Sequence, residues 1–323
     1  MIKIQNKKLE FSKYIVIICI LIIILMLIIM PSIAMQSFFT GILIWSTKVL
    51  PSLLPFFILT KLLSYTTFIS TIGKKLNPIT KKLYGVGGVS GYIFTMSIVS
   101  GYPMGAKLTS DMYSNKIITT RQASVITSFT STSGPLFIIG SVAIGMYNNP
   151  TLGYIILISH YLSALINGLI YRKEVKNEIS TLNSTSTINP LGDSMTSSIA
   201  SIMTVGGFIA LFYMILSLLL SINAFTFITF PLEIIGINKE ITSGIISGLI
   251  EVTTGCIMLS KLHLTLPIIG TILSFLISFG GLSIHAQAYC FLKSFNMPYL
   301  KFLLQKTTHA IISSIITLII LII

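Results

Sequence analysis

Long apolar segments follow one another along this chain, and several carry Gly or Pro in their middle instead of at their ends. Pro51 and Pro55 interrupt the segment 36–72, Gly101 and Pro103 the segment 84–104, Gly134 and Pro135 the segment 121–147, and Gly280 and Gly281 the segment 265–292. Proline removes a backbone donor and clashes with the preceding turn, so helices break at such points. In hydrocarbon a broken helix is tolerated only where the freed backbone groups are buried in protein or line a watery cavity. Hydrocarbon is the solvent this chain implies: of its 323 residues 53% are hydrophobic and only 9% charged, against about 25% in a soluble domain. The mean hydropathy is +0.92. The fold class is therefore an all-α polytopic membrane protein, with length enough for roughly eight to ten spans of about 20 residues.

The formal charge of +13, from 21 Lys and Arg against 8 Asp and Glu, sits mostly in short loops, where positive charge sets topology. No basic-aromatic face is left for a nucleic acid. Cys19, Cys256 and Cys290 lie in or beside apolar stretches without metal-ligand spacing, which reads as packing and not as a disulfide framework. His160, His263, His285 and His309 likewise have no metal spacing; His285 follows a break and can face a cavity, and the others read as packing or interfacial residues. Walker loop, zinc signature and nucleophile elbow are all missing from the sequence. An ATP-driven pump, a hydrolase or any other enzyme has no support, and no cofactor is expected beyond a coupling cation or proton.

The basic N-terminus MIKIQNKKLEFSK precedes the 17-residue apolar run Tyr14–Met30. Ser32-Ile33-Ala34 resembles a weak cleavage site, but the run exceeds the signal-peptide core of about 7–15 residues. It is expected to be a retained anchor, residues 1–35. Beyond it, residues 36–171 and 194–323 echo each other across a polar linker, 172–193. FFILTKLL (56–63) matches FYMILSLL (212–219), SFTSTSGPLFII (128–139) matches SFLISFGGLSIH (274–285), and Gly105 with Ser110 matches Gly255 with Ser260, at offsets of 146 to 156 residues. Lys3, Lys7, Lys8 and Lys13 place the N-terminus in the cytoplasm, with Lys74, Lys75, Lys81 and Lys82, and then Arg172, Lys173 and Lys176, marking later cytoplasmic loops. The two repeats then start on opposite sides, the inverted arrangement common among secondary transporters. The parity requires one segment per repeat to dip in and return, and 121–147 and 265–292 are expected to do so. Lys261, Lys293, Lys301 and Lys306 fall on the cytoplasmic side in this scheme; Lys107, Lys116 and Arg121 run against it.

From Thr127 to Ser133, six of seven residues carry a hydroxyl, and Gly134-Pro135 follows at once. Half-helices meeting in mid-membrane present amide donors and a positive dipole end, and Thr130, Ser131, Thr132 and Ser133 add hydroxyls. Together with Gly134 and Pro135 they make an expected anion site, although any single hydroxyl can simply cap or pack. A second candidate is Ser100-Gly101-Tyr102-Pro103, with Lys107 just beyond. That lysine can hold a carboxylate, snorkel to the interface, or pair with Asp111 four residues on. The third is GLIEVTTG, where Glu251 is an acidic group deep in an apolar segment beside Thr253 and Thr254. Glu251 suits a coupling cation or proton, or else a helix end with a nearby Lys or His. The counterpart break at Gly280 and Gly281, with His285, completes the set.

SGYPMGAKLTSDMYS, SFTSTSGPLFIIGSVAIGM and GYIILISHYLSALINGLIYR resemble the YlbJ (SpoVV) type of sporulation integral membrane proteins, over nearly the whole chain. That family belongs to the Gate, or nucleoside-recognition, superfamily, which includes the concentrative nucleoside transporters. Gly248 and Glu251 also resemble the G-x-x-E element of those transporters. The resemblance implies an inverted-repeat fold with re-entrant hairpins, and a multi-pass protein of the cell membrane, in sporulating cells the outer forespore membrane. It further implies transport of dipicolinic acid, a small organic dianion, from the mother cell, and a need for the protein in spore cortex formation and maturation. The partners open to such a protein are the bilayer, the anion, a second copy of the chain and other sporulation membrane proteins. The rival readings are a nucleoside or nucleobase carrier and a non-transporting scaffold for cortex assembly.

Overall fold

The computed structural model describes residues 2–172 and 189–323, and all its regular elements are helical. Most of the expected linker 172–193 lies outside the described residues. The N-terminal helix α1 (Ile2–Ile29) meets α2 (Pro31–Ile44) at 106° about Met30. A π-helical turn, Trp45–Val49, carries the chain into α3 (Leu50–Ser64), and α4 (Phe68–Tyr84) turns away from α3 by 86°. Helix α4 exposes Lys74, Lys75, Lys81 and Lys82 while burying Ile69, Gly73, Thr80 and Tyr84. That two-faced pattern suits a helix lying along the membrane surface.

Four short elements follow: α5 (Val89–Ser100), α6 (Met104–Ser114), α7 (Thr120–Thr130) and a π-helical stretch, Leu136–Ile144, before the long α8 (Pro150–Tyr171). The same order then recurs. The long α9 (Pro190–Ser221) and short α10 (Thr226–Ile234) lead to α11 (Lys239–Ile250), α12 (Val252–Ser260), α13 (Leu266–Phe279) and α14 (Gly281–Leu292), and then to the long α15 (Tyr299–Ile322).

Among the described residues, four helical stretches are long and apolar enough to cross a membrane, or up to six if each bent pair counts as one span. This is fewer than the eight to ten for which the chain has length. The breaks cut several apolar segments into pieces of 9 to 15 residues, and at 1.5 Å per residue such pieces reach only about halfway across a bilayer.

Two of the breaks turn the chain back on itself, and two let it continue. Helices α11 and α12 fold against each other about Glu251: Gly248 lies on Gly255, and Gly244 on Leu259. Helices α5 and α6 do the same about Gly101, where a Cβ on Gly105 would stand 3.0 Å from Ser97 Oγ. By contrast α7 and the π-helical stretch run on in sequence along α8. Ser128 meets Asn167, Ser133 meets His160, and Ala143 meets Gly153. Along α15, α13 and α14 behave likewise: Ser274 bonds Ser313 at 2.7 Å and His285 meets Tyr299 at 3.2 Å. The chain therefore doubles back within 89–114 and 239–260, whereas across 121–147 and 265–292 it runs on past the break. This corrects the expectation. Composition shows where a helix breaks, but the direction in which it resumes depends on the helix it packs against.

Two apolar cores flank these breaks. One gathers Phe57, Tyr92, Met104, Phe129 and Phe302, and the other Ile138, Ile156, Cys256, Leu273 and Ile277. The chain passes from the first core to the second between Phe129 and Ile138, and from the second to the first between Ile277 and Ala288. Both segments thus lose their helix where they cross between cores.

Candidate functional site

The four breaks lie close together. Gly101, at φ +78°, lies so near Gly134 that a Cβ on it would stand 2.5 Å from the Gly134 nitrogen. Gly280 and Gly281, at φ +92° and +64°, adopt the left-handed backbone that glycine accepts without strain. A Cβ on Gly280 would lie 3.7 Å from the Tyr102 ring, and one on Gly281 would lie 2.9 Å from the Gly248 carbonyl and 3.3 Å from the Val252 nitrogen. The turn at Glu251 is thereby held beside the break at Gly281. Tyr102, whose peptide bond to Pro103 is cis, points its hydroxyl toward the Ser278 and Ile277 carbonyls at 3.2 and 3.4 Å.

The hydroxyl run divides in two. Thr127, Ser128 and Thr130 donate back to the carbonyls of Ala123, Val125 and Ile126 in their own helix, the local bonding that competes for such side chains. Past Thr130 the helix ends and the groups turn elsewhere. Thr132 Oγ1 lies 2.9 Å from Ser97 Oγ, and that serine also bonds the Thr130 carbonyl. The Ser133 and Ile98 carbonyls both accept from Tyr161, at 3.2 and 3.1 Å. Ser100 Oγ and Ser131 Oγ are buried with no hydrogen-bond partner among the described residues.

Three side chains that sequence reasoning assigned to packing or topology stand at the centre of this region. His160 accepts from the Ser133 backbone N–H through Nε2 at 2.8 Å and meets Ser278 Oγ through Nδ1 at 2.7 Å. His309 donates to the His160 carbonyl at 3.0 Å, with the two rings 4.7 Å apart. Each is the eleventh residue of its helix, α8 and α15 respectively. Lys306 is only 2% exposed; its ammonium bonds the Tyr102 hydroxyl and donates to the Ser131 carbonyl at 2.9 Å. The expectation that Lys306 falls on the cytoplasmic side with Lys261, Lys293 and Lys301 is thereby corrected, since it is buried inside the fold. The signal was present in its position, eight residues into an apolar helix, where a charge marks function by default.

Other expected residues lie apart from this cluster or are already engaged. Lys107 is buried, but its ammonium stands 3.9 Å from Asp111 Oδ2, with Lys61 3.8 Å from the same oxygen and the Phe57 ring 5.5 Å away. Of the roles open to it, pairing with Asp111 is the one observed. Glu251 caps α12. Its carboxylate accepts from the Thr253 and Thr254 backbone N–H at 3.2 and 2.7 Å and from the Thr254 hydroxyl at 2.8 Å. A helix N-terminus expected to attract an anion thus already holds the protein's own carboxylate. His285 donates to the Phe279 carbonyl at 2.9 Å and faces the Tyr299 hydroxyl at 3.2 Å, closing the α13–α14 break from the far side. No group of three or more His, Cys, Asp or Glu fit to hold a metal occurs among the described residues.

Chemically, the centre is a buried polar junction enclosed by helix breaks, where among the described residues Lys306 has no carboxylate partner and the hydroxyls of Ser100 and Ser131 have no hydrogen-bond partner. Such a junction can bind a small ligand.

Comparison with known proteins agrees with this architecture. The Gate family, described as nucleoside recognition, matches residues 46–150, from the π-helical turn before α3 to the start of α8. The sporulation integral membrane protein YlbJ of Bacillus subtilis (strain 168) is 31% identical over 314 residues, covering 88% of this chain and 77% of that protein. No solved structure matches. With its all-helical fold, its apolar spans and this relationship along most of its length, the chain belongs to the YlbJ family of sporulation integral membrane proteins.

Proposed function

We propose that the protein is a transporter moving a small organic dianion, dipicolinate, from the mother cell across the outer forespore membrane, in support of cortex formation and spore maturation. The observation that carries the reading is the meeting of the breaks at Gly101, Gly134 and Gly280 around Ser100, Ser131 and Lys306. Broken helices at membrane depth are a recurrent device for substrate sites in secondary transporters. In this reading an anchor (1–35) precedes two repeats, 36–171 and 194–323, set in opposite orientation across the bilayer. Rocking of one against the other opens the junction to each side in turn. In this reading Thr132, Ser133, Gly134, Pro135, Gly281, Pro103 and Tyr102 line the substrate path.

The test is uptake of labelled dipicolinate into liposomes by the purified protein, beside a Ser131→Ala/Ser133→Ala double variant. Transport by the native chain and its loss in the variant are the expected results. Transport by both would keep the function and discard the site, and transport by neither would favour a scaffold role in cortex assembly. The match to the nucleoside-recognition family favours a second reading, a nucleoside carrier. Uptake of labelled uridine in the same liposomes, without dipicolinate uptake, would establish it.

A further inference from the structure

Among the described residues, nothing balances the charge of Lys306 at this junction. Among the described residues no carboxylate lies within 4 Å of its ammonium. Asp111 is taken up by Lys61 and Lys107, and Glu251 by the α12 N-terminus. An ammonium withdrawn from water without a counter-ion is costly, and buried charges in spanning helices mark ligand or ion paths. The ammonium has three N–H donors. One goes to the Tyr102 hydroxyl and one to the Ser131 carbonyl. The third is unassigned, and Ser131, whose carbonyl the ammonium holds, also carries a hydroxyl with no partner. A second unpaired hydroxyl belongs to Ser100, whose carbonyl carbon would stand 3.3 Å from a Cβ on Gly134.

We infer that Lys306 is the charge anchor for one carboxylate of the transported anion, with the Ser131 hydroxyl as its neighbouring donor. Resting on the transport reading above, this assigns the cation of the site to α15 and not to Lys107 of α6. It also sets the chemical class: a planar carboxylate is accepted, and an uncharged ligand of the same shape is not. Tyr102 and the Ser131 carbonyl hold the ammonium between the Gly101 and Gly134 breaks. An entering carboxylate competes for that ammonium and loosens Tyr102 from it, so anchoring and release of the break are one event.

Calorimetric binding to the purified full chain in detergent tests this, with dipicolinate, isophthalate and the neutral pyridine-2,6-dicarboxamide as probes. Native protein and the exposed-lysine control Lys239→Gln are expected to bind both dicarboxylates and not the diamide. Lys306→Gln is expected to weaken dicarboxylate binding by at least about tenfold, as for loss of one partner of a buried charged pair. Ser131→Ala should weaken it by about threefold or more, the usual scale of a lost hydrogen bond. A monodisperse Lys306→Gln protein that binds dipicolinate as the native does would overturn the anchor while leaving the transport reading intact. Lysine-dependent binding of isophthalate without binding of dipicolinate would uphold the anchor and remove dipicolinate as substrate. Native protein that binds uridine and no dicarboxylate would overturn both. Should Lys306→Gln not stay monodisperse, Ser131→Ala, which leaves the lysine in place, decides: native affinity in that variant overturns the site.

Discussion

The backbone N–H of Ser133 donates to Nε2 of His160 over 2.8 Å, so the imidazole proton resides on Nδ1, which faces Ser278 Oγ at 2.7 Å. One ring therefore ties the break in the α7 span to α13 at the end where it approaches Gly280. Replacing it with an apolar residue strands a buried N–H. His160→Leu is expected to lower stability by about 1–3 kcal/mol, read as a lower thermal unfolding midpoint of the purified protein in detergent. An unchanged midpoint would mean that the ring does not support the break.

The glycines at the junction differ sharply from glycines elsewhere. Gly101→Ala combines a positive φ with a collision at Gly134, whereas Gly207 in α9 has nothing within 4 Å of an added Cβ. Gly101→Ala should destabilise by about 2 kcal/mol or more. Gly207→Ala, in a helix interior, should be neutral or stabilising by up to about 1 kcal/mol. Equal midpoints for the two variants would contradict the close approach of Gly101 and Gly134.

Capping and ion coupling at Glu251 separate by substitution. Glu251→Ala removes the acceptor for two backbone N–H groups and is expected to cost about 1–2 kcal/mol, while Glu251→Gln keeps one acceptor oxygen and most of that stability. A coupling role would show as Gln and Ala variants equally inactive in liposome transport despite their different stabilities. With a capping role alone, Gln transports and Ala is merely less stable.

Lys107 is expected to act on stability and not on substrate. Asp111→Asn leaves its buried ammonium without a carboxylate. Because Asp111 is partly exposed, the expected cost is about 1–3 kcal/mol, between that of a surface and a buried pair. Lys107→Met should leave dicarboxylate affinity at the native level in the calorimetric assay. A large loss of affinity there would return Lys107 to the binding site.

Much of this architecture was legible in the chain itself because its causes are local. Apolar runs of membrane length, few charges and Gly or Pro at mid-segment are properties of neighbouring residues, and they specify helices in lipid with breaks at 101–103, 134–135 and 280–281. The unpaired Ser131 and the Ser97–Thr132 contact lie where the hydroxyl run meets its break, as that local logic anticipates. Thr130 illustrates its limit: the same hydroxyl chemistry one residue before Ser131 is satisfied inside its own helix.

Which way each chain end leaves a break, and which charge faces it, were decided only by tertiary packing. Glu251 turns the chain back because α11 and α12 close on Gly244, Gly248 and Gly255, while the 131–135 break resumes forward along α8. Lys107 and Lys306 both lie in helical segments, yet one faces Asp111 and the other faces Tyr102 and Ser131. The sequence determined that helices would form in lipid and where they would break, since those follow from bonded neighbours and solvent. A side chain's partner across the fold depends on helix rotation and docking, which contacts far apart in the chain select together, and so the identity of the buried cation at the junction emerged only from the folded molecule.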